Sequence, residues 1–126
     1  AAHESGRIIN PLTATNQVEG GIVQAIGFAL HERRVLDPTT GHMLNANLRD
    51  YKLPTAADTP EIEPVFIDLP DTVANSLGAK GLGEPPMIPT AGAIANAVYD
   101  AIGVRITENP ITPEKILKAL EEKLYA

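Results

Sequence analysis

Proline and glycine limit what this chain can fold into more than any other feature of it. Eleven prolines and ten glycines are spread over 126 residues, so long regular elements are excluded from most of the sequence. Pro11 pushes Asn10 toward extended geometry, and Arg7-Ile8-Ile9-Asn10 reads as a short strand closing in a turn. Val35-Leu36 and Met43-Leu44 flank Asp37-Pro38-Thr39-Thr40-Gly41, the turn composition of a hairpin. Leu48 to Pro54 reads as an extended segment leaving that hairpin, and Thr55 to Pro60 as loop. Ile62 to Leu69 alternates in part, contains Pro64 and ends at Pro70, which predicts an edge strand. Asp71 to Ser76 is polar and turn-forming.

Three stretches escape the punctuation and predict helices. The first runs from about Gln17 to Arg33, with Asn16 and Glu19 as a capping pair. Its apolar stripe is Val18, Ile22, Ile26, Ala29 and Leu30. A second helix runs from about Thr90 to Ile102, with Gly103 as its C-cap. The third opens at Thr112-Pro113-Glu114: capping side chain, proline in the first turn, acid near the positive end. Ile116, Leu117, Leu120 and Leu124 give it an apolar side. The order strand, helix, hairpin, strand, loop, helix, helix defines an α+β class in one domain over residues 1–126.

The first helix carries a second face of small or amide-bearing residues: Gln17, Gly20, Gly21, Gln24 and Gly27. Each glycine inside a helix costs about 1 kcal/mol relative to alanine. Either another element packs closely against that backbone, or the edge of a ligand lies there with a carboxamide to bond it.

A net charge of −6 argues against a nucleic-acid or anionic-membrane surface, since both require clustered Lys and Arg. The chain has no cysteine, which removes disulfides, a thiolate zinc site, a cysteine nucleophile and any iron–sulfur cluster held by this chain alone. A cytoplasmic setting suits such a sequence. No apolar run approaches the roughly 20 residues that span a bilayer. The start, Ala1 to Gly6, has neither the basic residues nor the apolar stretch of a signal peptide and reads as a cut inside a longer protein. His3, His31 and His42 are scattered and read as surface residues, so no metal ligand is assigned.

Chemistry concentrates in Gly78-Ala79-Lys80-Gly81-Leu82-Gly83-Glu84-Pro85-Pro86. A phosphate-cradling loop would need Gly-Lys followed by Ser or Thr, but here Lys80 precedes Gly81. The dinucleotide fingerprint fails at Pro86, where its last glycine would stand. A zinc-protease pair fails because Val35, not histidine, follows His31 by four residues. There remains a carboxylate, Glu84, between glycines free to approach a neighbour or take positive φ and prolines that stiffen the exit. Such a loop can present a general base in a fixed position. A solvated loop acid near a helix start has the same sequence.

Four motifs in register resemble a known family. They are Gly6-Arg7-Ile8-Ile9-Asn10-Pro11; Gln17-Val18-Glu19-Gly20-Gly21 with Gln24; Asp50-Tyr51-Lys52-Leu53-Pro54; and Lys80 to Pro86. A similar series occurs in the C-terminal part of the molybdenum-binding subunit of xanthine dehydrogenases, aldehyde oxidases and their bacterial relatives. The resemblance implies oxidative hydroxylation of a heteroaromatic or aldehyde carbon with oxygen drawn from water. It makes Glu84 the base that takes a proton from a metal-bound hydroxyl. It places Leu82 and Gly83 along a molybdopterin and Gln17 in hydrogen bond to it. The glycines beside Gln17 would then permit close packing beneath the cofactor.

The chain is much shorter than such a subunit, so the resemblance also implies partners. These are the remainder of the molybdenum subunit, iron–sulfur and flavin (FAD) domains or subunits, and a small-molecule substrate. A fragment, a separately encoded small subunit or a gene remnant would all look like this, and the isolated chain is expected to be inactive. The competing reading is a non-catalytic interaction domain that keeps the family fold.

Overall fold

In the computed structural model, residues 1–125 are described. The α+β class holds: three α-helices pack with a small parallel sheet and a hairpin. Strand β1 (Ala2–Glu4) pairs in parallel with β2 (Val65–Ile67), His3 lying opposite Phe66. Helix α1 spans Pro11–Ile26 and continues as a π turn over Gly27–His31. A single 3-10 turn covers Ala56–Asp58, helix α2 spans Ile88–Ile102 and helix α3 spans Pro113–Leu124.

The first strand and first helix differ from expectation at one point. Arg7 to Asn10 forms no strand; the strand lies earlier, at Ala2–Glu4. Asn10 is instead the N-cap of α1: its backbone is extended (φ −132°, ψ 104°) and its Oδ1 accepts from the Thr13 amide at 3.2 Å. Pro11 then occupies the first helical turn, where its missing N–H costs nothing. Extended geometry before a proline suits a strand end and a helix cap equally. Asn16 and Glu19 therefore lie inside the helix and do not start it. Helix α2 likewise begins two residues early, at Ile88.

The hairpin is present: Leu36 bridges Met43 in antiparallel fashion, and Asp37 Oδ1 accepts from the Thr39 and Thr40 amides. The next segment is not extended as expected. Leu48–Asp50 is a turn, because Asn47 Oδ1 accepts from the amides of Arg49 (3.0 Å) and Asp50 (3.1 Å).

The core is thin and centres on α1. Val18, Ala25, Ile26 and Ala29 are buried, while Ile22 and Leu30 are half-buried. Helix α2 packs against α1 and the π turn. The wide π turn closes with Glu32 N–H to Gly27 O at 2.8 Å, and the Ala29 carbonyl accepts the amide of the buried Ile111 at 2.6 Å. Helix α3 is capped by Thr112 as expected and is tied at its far end by Lys123 Nζ to Ile102 O, 2.9 Å. Gly103 closes α2 in the left-handed region, φ 67°. No helix among the described residues is long and apolar enough to cross a membrane.

Asn45 joins the hairpin to the exit of the π turn. Its Nδ2 donates to Arg33 O at 2.7 Å and its Oδ1 accepts from Val35 N–H at 2.9 Å, with the residue buried. Removing the carboxamide takes the partner from both the Val35 amide and the Arg33 carbonyl, in part-buried hydrogen bonds. We expect Asn45→Ala to cost about 1–3 kcal/mol in urea unfolding; a loss below the error of the measurement would contradict that role.

Candidate active site

Two glycines far apart in sequence cross to build the site. Gly6 (φ 62°) and Gly78 (φ 69°) both sit in the left-handed region, and a Cβ on Gly6 would collide with the Gly78 carbonyl. The crossing is sealed by Arg7 N–H to Gly78 O at 2.9 Å and Lys80 N–H to Ser5 O at 2.9 Å. Lys80 Nζ reaches back to Glu4 Oε2 at 2.6 Å, and the second oxygen of Glu4 accepts the Gly6 amide at 2.8 Å. Residues 4–7 and 78–80 are thus one unit.

Against that unit, α1 forms a groove of about 410 Å³. Gln17 and Leu82 both line it, together with Arg7, Asn10 and Lys80. The structure therefore brings two of the four expected site residues into one groove. Gly83 and Glu84 do not line it; they follow Leu82 directly in the chain, and both are exposed. The Glu84 main chain is fixed: its carbonyl accepts from the amides of Met87 (2.9 Å) and Ile88 (3.4 Å), so it leads into α2.

The loop glycines behave differently from expectation. Gly81 and Gly83 do not take positive φ; the glycines that do are Gly6, Gly41, Gly78 and Gly103. A Cβ on Gly81 or Gly83 would meet nothing within 4 Å. Their backbone is open, and the amides from Gly81 to Glu84 are taken up by no hydrogen bond among the described residues. Free N–H donors next to an exposed carboxamide suit a ligand rich in ring nitrogens, oxygens and phosphate. The donor set fits a pterin.

The small face of α1 divides in two. Gly21 receives the loop: a Cβ there would lie 3.0 Å from Pro86 Cβ and 3.3 Å from Met87 N. Pro86, with Val18, is among the largest fully buried side chains. Gly27 receives the third motif, since a Cβ would lie 3.0 Å from Pro54 Cδ and strike the Glu32 carboxylate. Tyr51 Oη donates to that carboxylate at 2.7 Å, which raises the phenol above its ordinary value. Lys52 pairs with Asp58 at 2.7 Å, and that carboxyl is depressed first by Lys52 and then by the Thr55 amide. The Asp-Tyr-Lys-Leu-Pro motif is thus an anchor for the far end of α1. Gly20 and Gly81 have no such contact.

His42 is exposed, His3 and His31 are half-buried, and no group of three His, Cys, Asp or Glu able to hold a metal occurs among the described residues. Reading the sequence missed Glu4 and its tie to Lys80. No local pattern announces a pair so far apart.

The family described as the molybdopterin cofactor-binding domain matches residues 1–60. The xanthine dehydrogenase molybdenum-binding subunit of Escherichia coli O157:H7 is 46% identical over 114 residues, covering 90% of this chain and 15% of that subunit. The aldehyde oxidoreductase molybdenum-binding subunit of Escherichia coli K12 is 40% identical over 118 residues, covering 94% and 16%. Among solved structures, quinoline 2-oxidoreductase from Pseudomonas putida 86 superposes with a TM-score of 0.87 at 35% identity, over 96% of this chain and 16% of that one. The fold is that of a molybdopterin cofactor-binding domain. The chain belongs to the family of molybdenum-binding subunits of xanthine dehydrogenases and aldehyde oxidoreductases, and spans about 15% of the length of the subunits it matches.

The Glu4 carboxyl is held below its ordinary 4.5 first by Lys80 and then by the Gly6 amide, and Lys80 is raised above 10.5 by Glu4. The depressed carboxyl stabilises the fold above 4.5 and loses that contribution as acid protonates it; the raised amine stabilises below 10.5 and loses it in base. Glu4→Gln should therefore lower the melting temperature at neutral pH, and more weakly in high salt because both groups are partly exposed. The difference from the parent should shrink toward zero in acid well below 4.5. An equal difference at both pH values would show that the charge is irrelevant.

Proposed function

We propose that this chain is the C-terminal part of the molybdenum subunit of a hydroxylase, and that it supplies one wall of the cofactor cleft and the base of the reaction. The observation that carries the reading is the placement of Gln17 and Leu82 in one groove, with Gly83 and Glu84 next along the chain, exposed, and the amides from Gly81 to Glu84 unused. The relatives named as xanthine dehydrogenase and aldehyde oxidoreductase subunits support the reaction class. The net change is R–H + H₂O → R–OH + 2 H⁺ + 2 e⁻, at a heteroaromatic or aldehyde carbon.

When bound, molybdopterin supplies the metal centre that accepts the two electrons. Gln17, through its carboxamide, and the Leu82 and Gly83 peptides would hold the cofactor. Glu84 accepts a proton at its carboxylate. Pro85 and the two amides bonded to the Glu84 carbonyl hold its backbone before substrate arrives, so no reordering is needed at each turnover. Electrons leave through iron–sulfur and flavin domains or subunits outside this chain, in the cytoplasm. The remainder of the molybdenum subunit closes the cleft and reads the substrate.

Two measurements test this reading. In the assembled enzyme, Glu84→Gln should retain molybdenum and substrate affinity while kcat falls by about 10²–10⁴-fold, the usual contribution of a positioned base. Normal turnover would remove Glu84 from the mechanism. The isolated chain should bind no molybdopterin, because one wall cannot bury a ligand of which most must be enclosed; stoichiometric cofactor on the purified chain would refute the shared cleft.

A further inference from the structure

We infer that Gly21 is a positioning residue for Glu84, and that helix α1 sets the distance between the cofactor contact and the base. The inference rests on the proposed roles of Gln17 and Glu84. Gln17 and Gly21 stand at i and i+4 of α1, one above the other on a single helix face. The first faces the groove. The second receives Pro86, two residues beyond Glu84, with the place of a Cβ only 3.0 Å from Pro86 Cβ and 3.3 Å from Met87 N.

Burial and two hydrogen bonds make this seat rigid. Pro86 is fully buried. Its carbonyl accepts from Thr90 Oγ1 at 2.8 Å, which locks it to the first turn of α2. The Met87 amide donates to the Glu84 carbonyl at 2.9 Å, so the atom that a Cβ at position 21 would push is bonded directly to the Glu84 peptide. Lengthening the side chain at 21 therefore moves Pro86, Met87 and Glu84 as one body. Gly20, next to it in sequence, has nothing within 4 Å of its Cβ position and carries no such constraint. The glycine at 21 thus answers a protein contact.

The test is a double-mutant cycle in the assembled molybdenum enzyme, combining Gly21→Val with Glu84→Gln and reading kcat, KM and molybdenum content. Displacing a catalytic group by about an ångström costs on the order of 10²-fold. We expect Gly21→Val alone to lower kcat by about that factor with KM and molybdenum unchanged, and to add nothing in the Glu84→Gln background, since a missing base cannot be misplaced. If the enzyme bearing Gly21→Val does not assemble, Gly21→Ala, which asks Pro86 to give by tenths of an ångström, is read by the same criteria with a roughly tenfold fall. An undiminished kcat overturns the inference, as does an equal fall in both backgrounds, which would mean that position 21 acts independently of the base. Either result, alongside a Glu84→Gln enzyme that has lost turnover, leaves the proposed function standing. A Glu84→Gln enzyme with full turnover removes both.

Discussion

The crossing of Gly6 and Gly78 is the contact on which the rest of this structure depends. Neither position can carry a side chain: both have positive φ, Gly6 lies against the Gly78 carbonyl, and a Cβ on Gly78 would sit 2.7 Å from Pro70 Cβ. Bringing the two segments together closes a long loop, and the entropy of that closure must be offset by what forms there. What forms is two main-chain hydrogen bonds, an ion pair and the short parallel pairing of Ala2–Glu4 with Val65–Ile67. A pair of three-residue strands is marginal alone. It is stable here because the same crossing also seats the loop that leads to Leu82 and Glu84 along α1.

How much of this could be read from the sequence depended on the range of the deciding contact. Thr112-Pro113-Glu114 and Gly103 were legible because a cap, a proline and a left-handed glycine act within one turn. The hairpin was legible for the same reason. Asn10-Pro11 was misread as a strand end because its local geometry serves either role, and only the helix that follows decides. The strand at Ala2–Glu4 gives no signal in three residues; its partner lies across the fold. Gln17, Leu82, Gly83 and Glu84 are candidates only through four motifs in register, and no spacing rule connects residues 17 and 82 without that resemblance. The roles of Gly21 and Gly27 were undecidable, since a helix glycine looks the same whether a proline or a ligand lies above it.

Several large apolar side chains lie on the surface of the chain. Leu12 is 70% exposed, Leu48 83% and Val73 97%, while the fully buried positions cluster on α1 and its seat. The relatives are several times longer, with this chain matching 15–16% of them.

The π turn at Gly27–His31 has a consequence for how this region tolerates change. It spends one extra residue, and the Ala29 carbonyl, which lies in the last turn and has no intrahelical donor, grips Ile111, the residue leading into α3. The C-terminal helix is thereby indexed to the rotation of α1, like a pointer on a dial. Deleting a single residue from that turn would restore ordinary helical pitch and swing the pointer by about 100°, leaving Gln17 untouched while the far side of the molecule loses its alignment.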